Sequence, residues 1–231
     1  MISACMAVWN EEEVIHYPLT FIKSMPQITE VCIVVDEECT DETLGIVEDF
    51  DMGDKKKCIR VRYFDSFDKQ KNAALEIATQ DWVLWIDGDE AYTLATGTLF
   101  ADLPKLGEVN TIHIPTIMMT SQDTRQGNYD LDPHIRLWKN RYVKYVGELH
   151  ETPISPLGEN LHVKVDISTY NYPQYTDSYM KHYTFLKSDK ALREKAKRWN
   201  KITQVHWDED YWVKAKYLAA QYAVPLEAKY V

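Results

Sequence analysis

The chain has 231 residues, and its 45% hydrophobic and 12% aromatic content is too high for a disordered protein and sufficient for a substantial core. The formal net charge of −10 at pH 7 provides no general attraction to nucleic acid or to an anionic membrane. No apolar run approaches the ~20 residues that would cross a bilayer, and residues 1–8 have neither a basic region nor a cleavage site. We therefore expect a cytoplasmic protein without a transmembrane segment or a signal peptide.

The first ninety residues alternate between apolar runs and amphipathic segments. Asn10, with Glu13 at capping-box spacing, is predicted to cap the first helix, and Thr40 the second. Arg60 and Arg62 alternate with apolar residues in the third strand, which predicts an edge position. Strands are predicted at residues 2–9, 31–36, 58–64 and 82–86, and helices at 11–24, 41–50 and 68–79. This order predicts an α/β fold with a mostly parallel sheet flanked by helices.

The stretch Asp81–Glu90 ends a buried apolar strand with two carboxylates. Asp87 and Asp89 lie two residues apart, so their side chains would point the same way from an extended chain. Gly88 between them would let another group approach the backbone closely. Converging carboxylates suit a hard divalent cation, although an acidic turn after a core strand would have the same sequence.

In parallel sheets, ligands bind in the crevice beyond the carboxyl ends of the strands. Acidic residues dominate those ends, and the residues expected at the rim are Trp9, Asn10, Glu12, Asp36, Glu37, Asp65, Asp87, Asp89 and Glu90. Such a rim would repel a bare phosphate but accept a nucleoside, or a diphosphate bridged by a divalent cation. Lys71 lies on the sheet-facing side of the third helix, where it could contact a phosphate, pair with a carboxylate or extend to solvent.

Beyond residue 90 the predicted elements are shorter. A helix is expected at 98–103, strands at 110–119, 135–138 and 142–145, a mobile polar loop at 121–132, and helices at 176–199 and 208–222. Arg136 is open to two interpretations, a salt bridge or a substrate contact, whereas His113 is expected to be a core histidine.

Several motifs in order resemble the family 2 glycosyltransferases, which have the nucleotide-sugar-binding GT-A fold. The matching stretches are Val8–Glu12, Val35–Thr43, Lys71–Leu75, Asp81–Glu90, Arg136–Asn140 and Gly147–Glu151. The resemblance is good over residues 1–151 and weak after about residue 161. It implies a GT-A-like catalytic domain over residues 1–168, which binds the nucleotide sugar, and a helical C-terminal extension over residues 169–231 packed on it.

The resemblance also implies roles for matched positions. The residues that would hold the nucleotide sugar are Ala7, Trp9, Asn10, Glu12, Asp36, Lys71 and Asp87. Asp87 would approach the ribose, Asp89 would bind the metal ion on the diphosphate, and His150 would be a second metal or phosphate contact. Lys71 departs from the arginine that is common at its position, so a point charge replaces a bidentate fork.

The family inverts the anomeric centre by direct displacement, with a carboxylate base that activates the acceptor hydroxyl. The base has to reach that hydroxyl and stay ionised. Glu151 is the first choice because it adjoins His150, and Glu148 and Asp132 are the alternatives.

The sequence is therefore interpreted as a metal-dependent, inverting, hexosyltransferase-like glycosyltransferase that uses Mn²⁺ or Mg²⁺. The donor would be a nucleotide-diphosphate sugar, with a UDP-sugar favoured, and the acceptor a glycan or another hydroxyl compound. Nucleic acid is disfavoured as a partner by the charge of −10. Two alternative functions are a phosphohydrolase with Asp87 as nucleophile and a non-catalytic module that binds nucleotide sugars.

Overall fold

The computed structural model describes residues 1–126, 134–147, 151–161, 166–204 and 206–226. The strands are β1 (Ile2–Val8), β2 (Ile28–Asp36), β3 (Lys56–Arg62), β4 (Trp82–Trp85), β5 (Glu90–Tyr92), β6 (Thr111–His113), β7 (Thr116–Met118), β8 (Thr124–Gln126), β9 (Ile135–Lys139), β10 (Lys144–Val146), β11 (Thr152–Ile154), β12 (Ile167–Ser168), β13 (Met180–His182) and β14 (Ala223–Pro225). The helices are α1 (His16–Ser24), α2 (Thr43–Asp49), α3 (Phe67–Ile77), α4 (Thr96–Asp102), α5 (Asp189–Thr203) and α6 (Tyr211–Gln221).

Within the described residues, seven strands form the central sheet in the order β12-β6-β9-β4-β1-β2-β3. β1 pairs in parallel with β2 and β4, and β2 with β3, whereas β9 is antiparallel to β4 and β6. The central strands β1, β2 and β4 are buried along nearly their whole length, as expected for parallel strands covered on both faces. β3 lies at the edge with Arg60 and Arg62 exposed. The predicted α/β fold and the edge position of this strand are confirmed.

Hydrophobic packing on both faces fixes the sheet. Alternate residues of a strand point to opposite faces, so β2 contributes Ile33 to one core and Val34 to the other. Leu19 of α1 belongs to the core with Ile33, and Ala74 of α3 to the core with Val34. The carboxyl ends of the central strands are therefore held from two sides. No described helix combines the length and apolar character needed to cross a membrane.

The first two helices begin later than predicted. α1 starts at His16, which places Pro18 in the first turn, where a missing backbone N–H is tolerated. Asn10 has a φ of 49°, and its side-chain oxygen accepts a hydrogen bond from the Thr40 N–H at 2.8 Å. At the start of α2, the Thr43 N–H donates a hydrogen bond to the side chain of Asp41, at 3.0 Å, and not to the side chain of Thr40. The predicted caps at Asn10 and Thr40 are therefore wrong, and these two residues join the loops that follow β1 and β2.

The second half departs further from the predicted elements. The strand expected over residues 110–119 divides at Pro115 into β6, in the central sheet, and β7, in a three-stranded sheet of order β5-β13-β7. The helix expected over residues 176–199 is wrong up to residue 188, because β13 pairs with both β5 and β7. α5 begins only at Asp189, after Ser188, whose hydroxyl accepts from the Ala191 N–H at 3.2 Å. The predicted division into residues 1–168 and 169–231 stays a prediction.

Candidate functional site

A cleft of about 690 Å³ opens at the carboxyl ends of β1 and β4, beneath α5 and α6. Six residues predicted for the site line it, namely Ala7, Trp9, Lys71, Asp87, Asp89 and Glu151. Asp132, Glu148 and His150 lie outside the described residues. The parallel pairing of β1 with β4 brings the end of the first strand and the carboxylate pair to the same edge of the sheet.

Asp87 is held by donors from the sheet. The Trp85 indole N–H donates to Oδ1 at 2.8 Å, and the Arg136 guanidinium donates to Oδ2 at 3.2 Å. Burial alone would raise the pKa of Asp87, but the charges of Lys71 and Arg136 outweigh it and hold that pKa well below its usual range. Asp87 is therefore an ionised carboxylate with both oxygens engaged.

Arg136 lies between two carboxylates. Its guanidinium contacts Asp87 on one side and Glu90 Oε1, at 2.7 Å, on the other. Glu90 Oε2 also accepts the Asp87 backbone N–H at 2.9 Å, which closes the turn around Gly88. Burial raises the pKa of Glu90 to about 7, against the opposing charge of Arg136. Arg136 thus forms the salt bridge that was one of its two interpretations.

Asp89 is buried, and its partners come from the C-terminal part of the chain. Oδ1 lies 3.2 Å from His182 Nε2, and Oδ2 accepts the Thr184 hydroxyl at 2.7 Å. The ammonium groups of Lys195 and Lys187 lie 3.2 and 3.6 Å from Oδ2. Burial would raise the pKa of Asp89, but Lys195, His182 and Lys187 together hold it well below its usual range.

Sequence reasoning missed these C-terminal partners because it assigned residues 176–199 to one helix. His182 is the last residue of β13. In the pairing of β13 with β5 it lies opposite Glu90, the residue that follows Asp89. Of the residues Met180–Thr184 only Thr184 is β-branched and only Tyr183 is a tyrosine, so the sequence offers little signal for a short strand here.

Lys71 and Glu151 form an ion pair at the side of the cleft, and each side chain is 17% exposed. The Lys71 ammonium also lies 5.1 Å from the Trp85 ring and 4.9 Å from the Tyr145 ring. Glu151 directly precedes β11, which pairs with β10. The Asn72 side chain of α3 donates a hydrogen bond to the backbone carbonyl of Tyr145 in β10, and this holds α3 next to the two strands. Of the three predicted placements of Lys71, the structure shows the pairing with a carboxylate.

The carboxylate expected to hold the nucleoside is covered by an arginine. Asp36 is fully buried at the end of β2, where it accepts the Glu38 N–H at 2.9 Å and pairs with Arg198 of α5. The Arg198 guanidinium lies 4.6 Å from the Trp9 ring and lines the cleft. Burial raises the pKa of Asp36. A nucleoside would reach Asp36 only after Arg198 has moved.

Asn10 and Glu12 hold the neighbouring loop and, of the described residues, are not among those that line the cleft. Asn10 exchanges two hydrogen bonds with Thr40, and the Glu12 carboxylate accepts the Glu42 N–H at 3.0 Å. Both are thus positioned to shape the rim.

Gly88 makes room for Glu11. A Cβ atom on Gly88 would lie 2.7 Å from Glu11 Cγ and 3.0 Å from Val8 Cγ1, distances that ordinary packing does not permit. The expected close approach to the Gly88 backbone is therefore made by a side chain of the same chain. Burial raises the pKa of Glu11 to about 7, although Lys187 lies 2.5 Å from its carboxylate.

Asp89 and His182 could serve as two ligands of a divalent cation once His182 Nε2 has given up its proton, which the neighbouring Asp89 charge helps it to retain. Their facing atoms are 3.2 Å apart, about the separation of neighbouring ligands on an octahedral ion with bonds of ~2.1 Å. Among the described residues no cluster of three or more His, Cys, Asp or Glu forms a complete protein site. The pair therefore fits an ion that takes its remaining ligands from phosphate and water, as Mg²⁺ commonly does.

The mostly parallel central sheet with helices on both faces is that of the GT-A fold. The chain matches the family model described as glycosyl transferase family 2 over residues 3–144. It belongs to that family, and the resemblance proposed from its motifs is confirmed.

The proteins similar to this chain include two curated relatives and one solved structure. The SPbeta prophage-derived glycosyltransferase SunS of Bacillus subtilis is 27% identical over 178 residues, which are 74% of this chain and 40% of that protein. A TPR repeat-containing protein of Synechococcus elongatus is 26% identical over 65% of this chain and 34% of its own length. The chain thus spans well under half of these relatives. Residues 1–349 of TarS from S. aureus have a TM-score of 0.52 at 18% identity, covering 94% of this chain and 70% of that one, which supports the fold.

Proposed function

We propose that the protein transfers a sugar from a nucleotide-diphosphate donor to an acceptor hydroxyl, with inversion at the anomeric carbon and with the help of a divalent cation. The observation that carries the proposal is the placement of Asp87 and Asp89 side by side at the carboxyl end of the sheet, on a cleft large enough for such a donor. Because the chain belongs to a glycosyltransferase family, we interpret this arrangement as the binding site for the donor. A glycan or another hydroxyl compound is the proposed acceptor.

A UDP-sugar is the proposed donor. TarS, which shares the fold, has been solved in complex with UDP and with UDP-GlcNAc. In this chain Arg198 lies over the Trp9 ring and pairs with Asp36, so the Asp36 carboxylate could accept a hydrogen bond from a base N–H once Arg198 has moved. Asp87 is the proposed ribose contact because its fixed carboxylate can accept a further hydrogen bond from a ribose hydroxyl.

The charge balance of the cleft supports a metal ion. Of the described lining residues, the carboxylates are Glu11, Asp87, Asp89, Glu90 and Glu151, and the lysines and arginines are Lys71, Arg136, Lys195 and Arg198. A diphosphate would bring its negative charge next to Asp87 and Asp89, whose pKa values are both held below their usual range. A divalent cation held by Asp89 and His182, with His150 as a further candidate, would offset that charge and stabilise the leaving group.

Glu151 is the proposed base. It lines the cleft, and its ion pair with Lys71 fixes the carboxylate beside Asp87. In the transfer step the acceptor oxygen would bond to the anomeric carbon while its proton passes to Glu151 and the nucleoside diphosphate departs. Glu148 and Asp132 are the alternative bases. Asp87 is poorly suited to act as a phosphohydrolase nucleophile because both of its oxygens already accept hydrogen bonds.

The proposal is tested by thermal unfolding in the presence of UDP, GDP, ADP or CDP, each with Mn²⁺ and with excess chelator. Binding to the native state raises the melting temperature, so UDP with Mn²⁺ should stabilise the protein most. Stabilisation by none of the four would contradict a nucleotide-binding cleft. Equal stabilisation with chelator and with Mn²⁺ would contradict the metal requirement alone.

A further inference from the structure

The buried cations around the cleft differ in how their charge is compensated. Four of them each form an ion pair with a carboxylate that Lys195 does not contact directly, in the pairs Lys71–Glu151, Arg136–Glu90, Lys187–Glu11 and Arg198–Asp36. Lys195 instead faces Asp89, which Lys187 and His182 also contact. Among the described residues that line the cleft, Lys195 is therefore the cation that shares its directly contacted carboxylate with two further basic side chains, while Glu11 and Asp87 act on it from farther away. An incoming anion can take up this charge without leaving Asp89 unpaired.

Lys195 is also held in place by its surroundings. Its ammonium donates to the Thr184 hydroxyl at 2.9 Å and lies 5.4 Å from the centre of the Trp212 ring. Its neighbour Ala196 is buried, so α5 is anchored where the lysine projects. The side chain is only 20% exposed and lines the cleft. A partly buried ammonium group with a fixed direction interacts with a phosphate more strongly than a mobile surface lysine does.

We propose that Lys195 binds the diphosphate of the donor and stabilises it as the leaving group, with Thr184 as its positioning residue. The inference rests on the proposed function. As the acceptor oxygen bonds to the anomeric carbon, the bond from that carbon to the terminal phosphate oxygen breaks and its electron pair stays on that oxygen. The acceptor proton passes to the carboxylate base. Lys195 keeps its proton throughout and donates a hydrogen bond to the phosphate oxygen where negative charge develops.

Lys187 is less suited to this role although it also lies near Asp89. Its side chain is 3% exposed and forms an ion pair with Glu11 at 2.5 Å. It lies farther from Asp89 than Lys195 does, at 3.6 against 3.2 Å. When Lys195 binds the donor, Lys187 remains to compensate the negative charges of Asp89 and Glu11.

The test is calorimetric titration of UDP, GDP, ADP, CDP and uridine into the wild type, Lys195→Gln and Lys190→Gln, each with Mn²⁺ and with excess chelator. Lys190 is on the same helix, its side chain is 86% exposed, and its substitution removes the same charge. Lys195→Gln should weaken diphosphate binding about tenfold to a hundredfold, the value of a hydrogen bond to a charged group, and leave uridine binding unchanged. Lys190→Gln should match the wild type, and Lys195→Arg should recover part of the lost affinity.

The outcomes separate this inference from the proposed function. If the wild type binds a nucleoside diphosphate and Lys195→Gln binds it equally well, Lys195 has no role at the diphosphate and only the inference is wrong. If Lys195→Gln weakens uridine as much as the diphosphate, the lysine supports the fold of the cleft and the inference is also wrong. If the wild type binds none of the four diphosphates, the proposed function fails and the inference with it. Asp89 keeps Lys187, His182 and Thr184 in the variant, so we expect Lys195→Gln to fold.

Discussion

The two walls of the cleft are built differently, although both carry buried ion pairs. On the sheet wall, Asp87 is fixed by Trp85 of β4 and Arg136 of β9, which are neighbouring strands of one sheet. On the C-terminal wall, Asp89 is approached by Lys187 and Lys195, which come from the loop before α5 and from α5 itself. Two carboxylates two residues apart thus have partners from distant parts of the chain.

The difference teaches which charges are fixed and which can exchange. The donors to Asp87 are buried side chains on two paired strands, so this carboxylate keeps one orientation toward a ligand. Lys195 lines the cleft beside Asp89, so its ammonium group can pass from that carboxylate to a phosphate with little movement of the backbone, while Lys187 stays at Asp89. We infer that the sheet wall orients the donor and the C-terminal wall receives its charge.

Asp89→Asn should have the largest effect. It removes the carboxylate that compensates Lys187 and Lys195, and loss of one partner of a buried ion pair costs about 3–5 kcal/mol. We expect that loss in denaturant-induced unfolding and no detectable transfer by protein that is still folded. Asp81→Asn is the matched control, because that side chain is 82% exposed. An Asp89→Asn protein as stable and as active as the wild type would show that the C-terminal wall does not depend on Asp89.

Glu151→Gln should affect the reaction more than binding. Loss of a general base lowers the rate of transfer about 10²–10⁴-fold, while the diphosphate contacts are unchanged. Single-turnover rates and UDP affinities should be measured together, with the exposed residue Glu108 substituted in the same way as the control. A wild-type rate would move the base to Glu148 or Asp132.

Stability should fall as pH rises from 4.5 to about 7, in part because of Glu11. Burial raises its pKa in the folded state from 4.5 to about 7, so its contribution is complete below pH 4.5 and is lost as pH rises through 7. Glu90 and His182 also have raised pKa values and act in the same direction. Glu11→Gln should therefore gain about 2–3 kcal/mol relative to the wild type between pH 5 and pH 8, measured by urea unfolding. A difference that does not change with pH would mean that Glu11 is ionised in the folded state throughout.

Gly88→Ala should have the smallest effect. The new methyl group would press on the Cγ atom of Glu11 and on Val8, so we expect a loss of about 1–3 kcal/mol, the usual cost of overpacking. Thermal unfolding of Gly88→Ala and of the double variant Gly88→Ala/Glu11→Ala separates the two sources of the loss. The loss should be smaller in the Glu11→Ala background, and an unchanged loss would place the clash elsewhere.

The sheet wall could be predicted from the sequence and the C-terminal wall could not. The apolar runs of β1, β2 and β4 are short and alternate with helical segments, which favours buried strands, and a parallel sheet brings the ends of such strands to one edge. β13 is three residues long and is defined by pairing with β5 and β7, which lie far away in the sequence. Local pattern does not contain that pairing, so His182 and its neighbours were assigned to a helix. The caps at Asn10 and Thr40 failed for the same reason, because a bond between two loops replaced them.

The most direct test of the central claim is the release of UDP from UDP-sugars by the wild-type protein, followed with Mn²⁺ and with excess chelator. A glycosyltransferase of this kind should cleave at least one donor slowly with water as acceptor, and chelator should stop the release. Hydrolysis of a simple phosphate monoester without cleavage of any donor would identify a phosphohydrolase. Tight UDP binding with no cleavage of any donor, with or without added glycan acceptors, would identify a binding module and contradict the account.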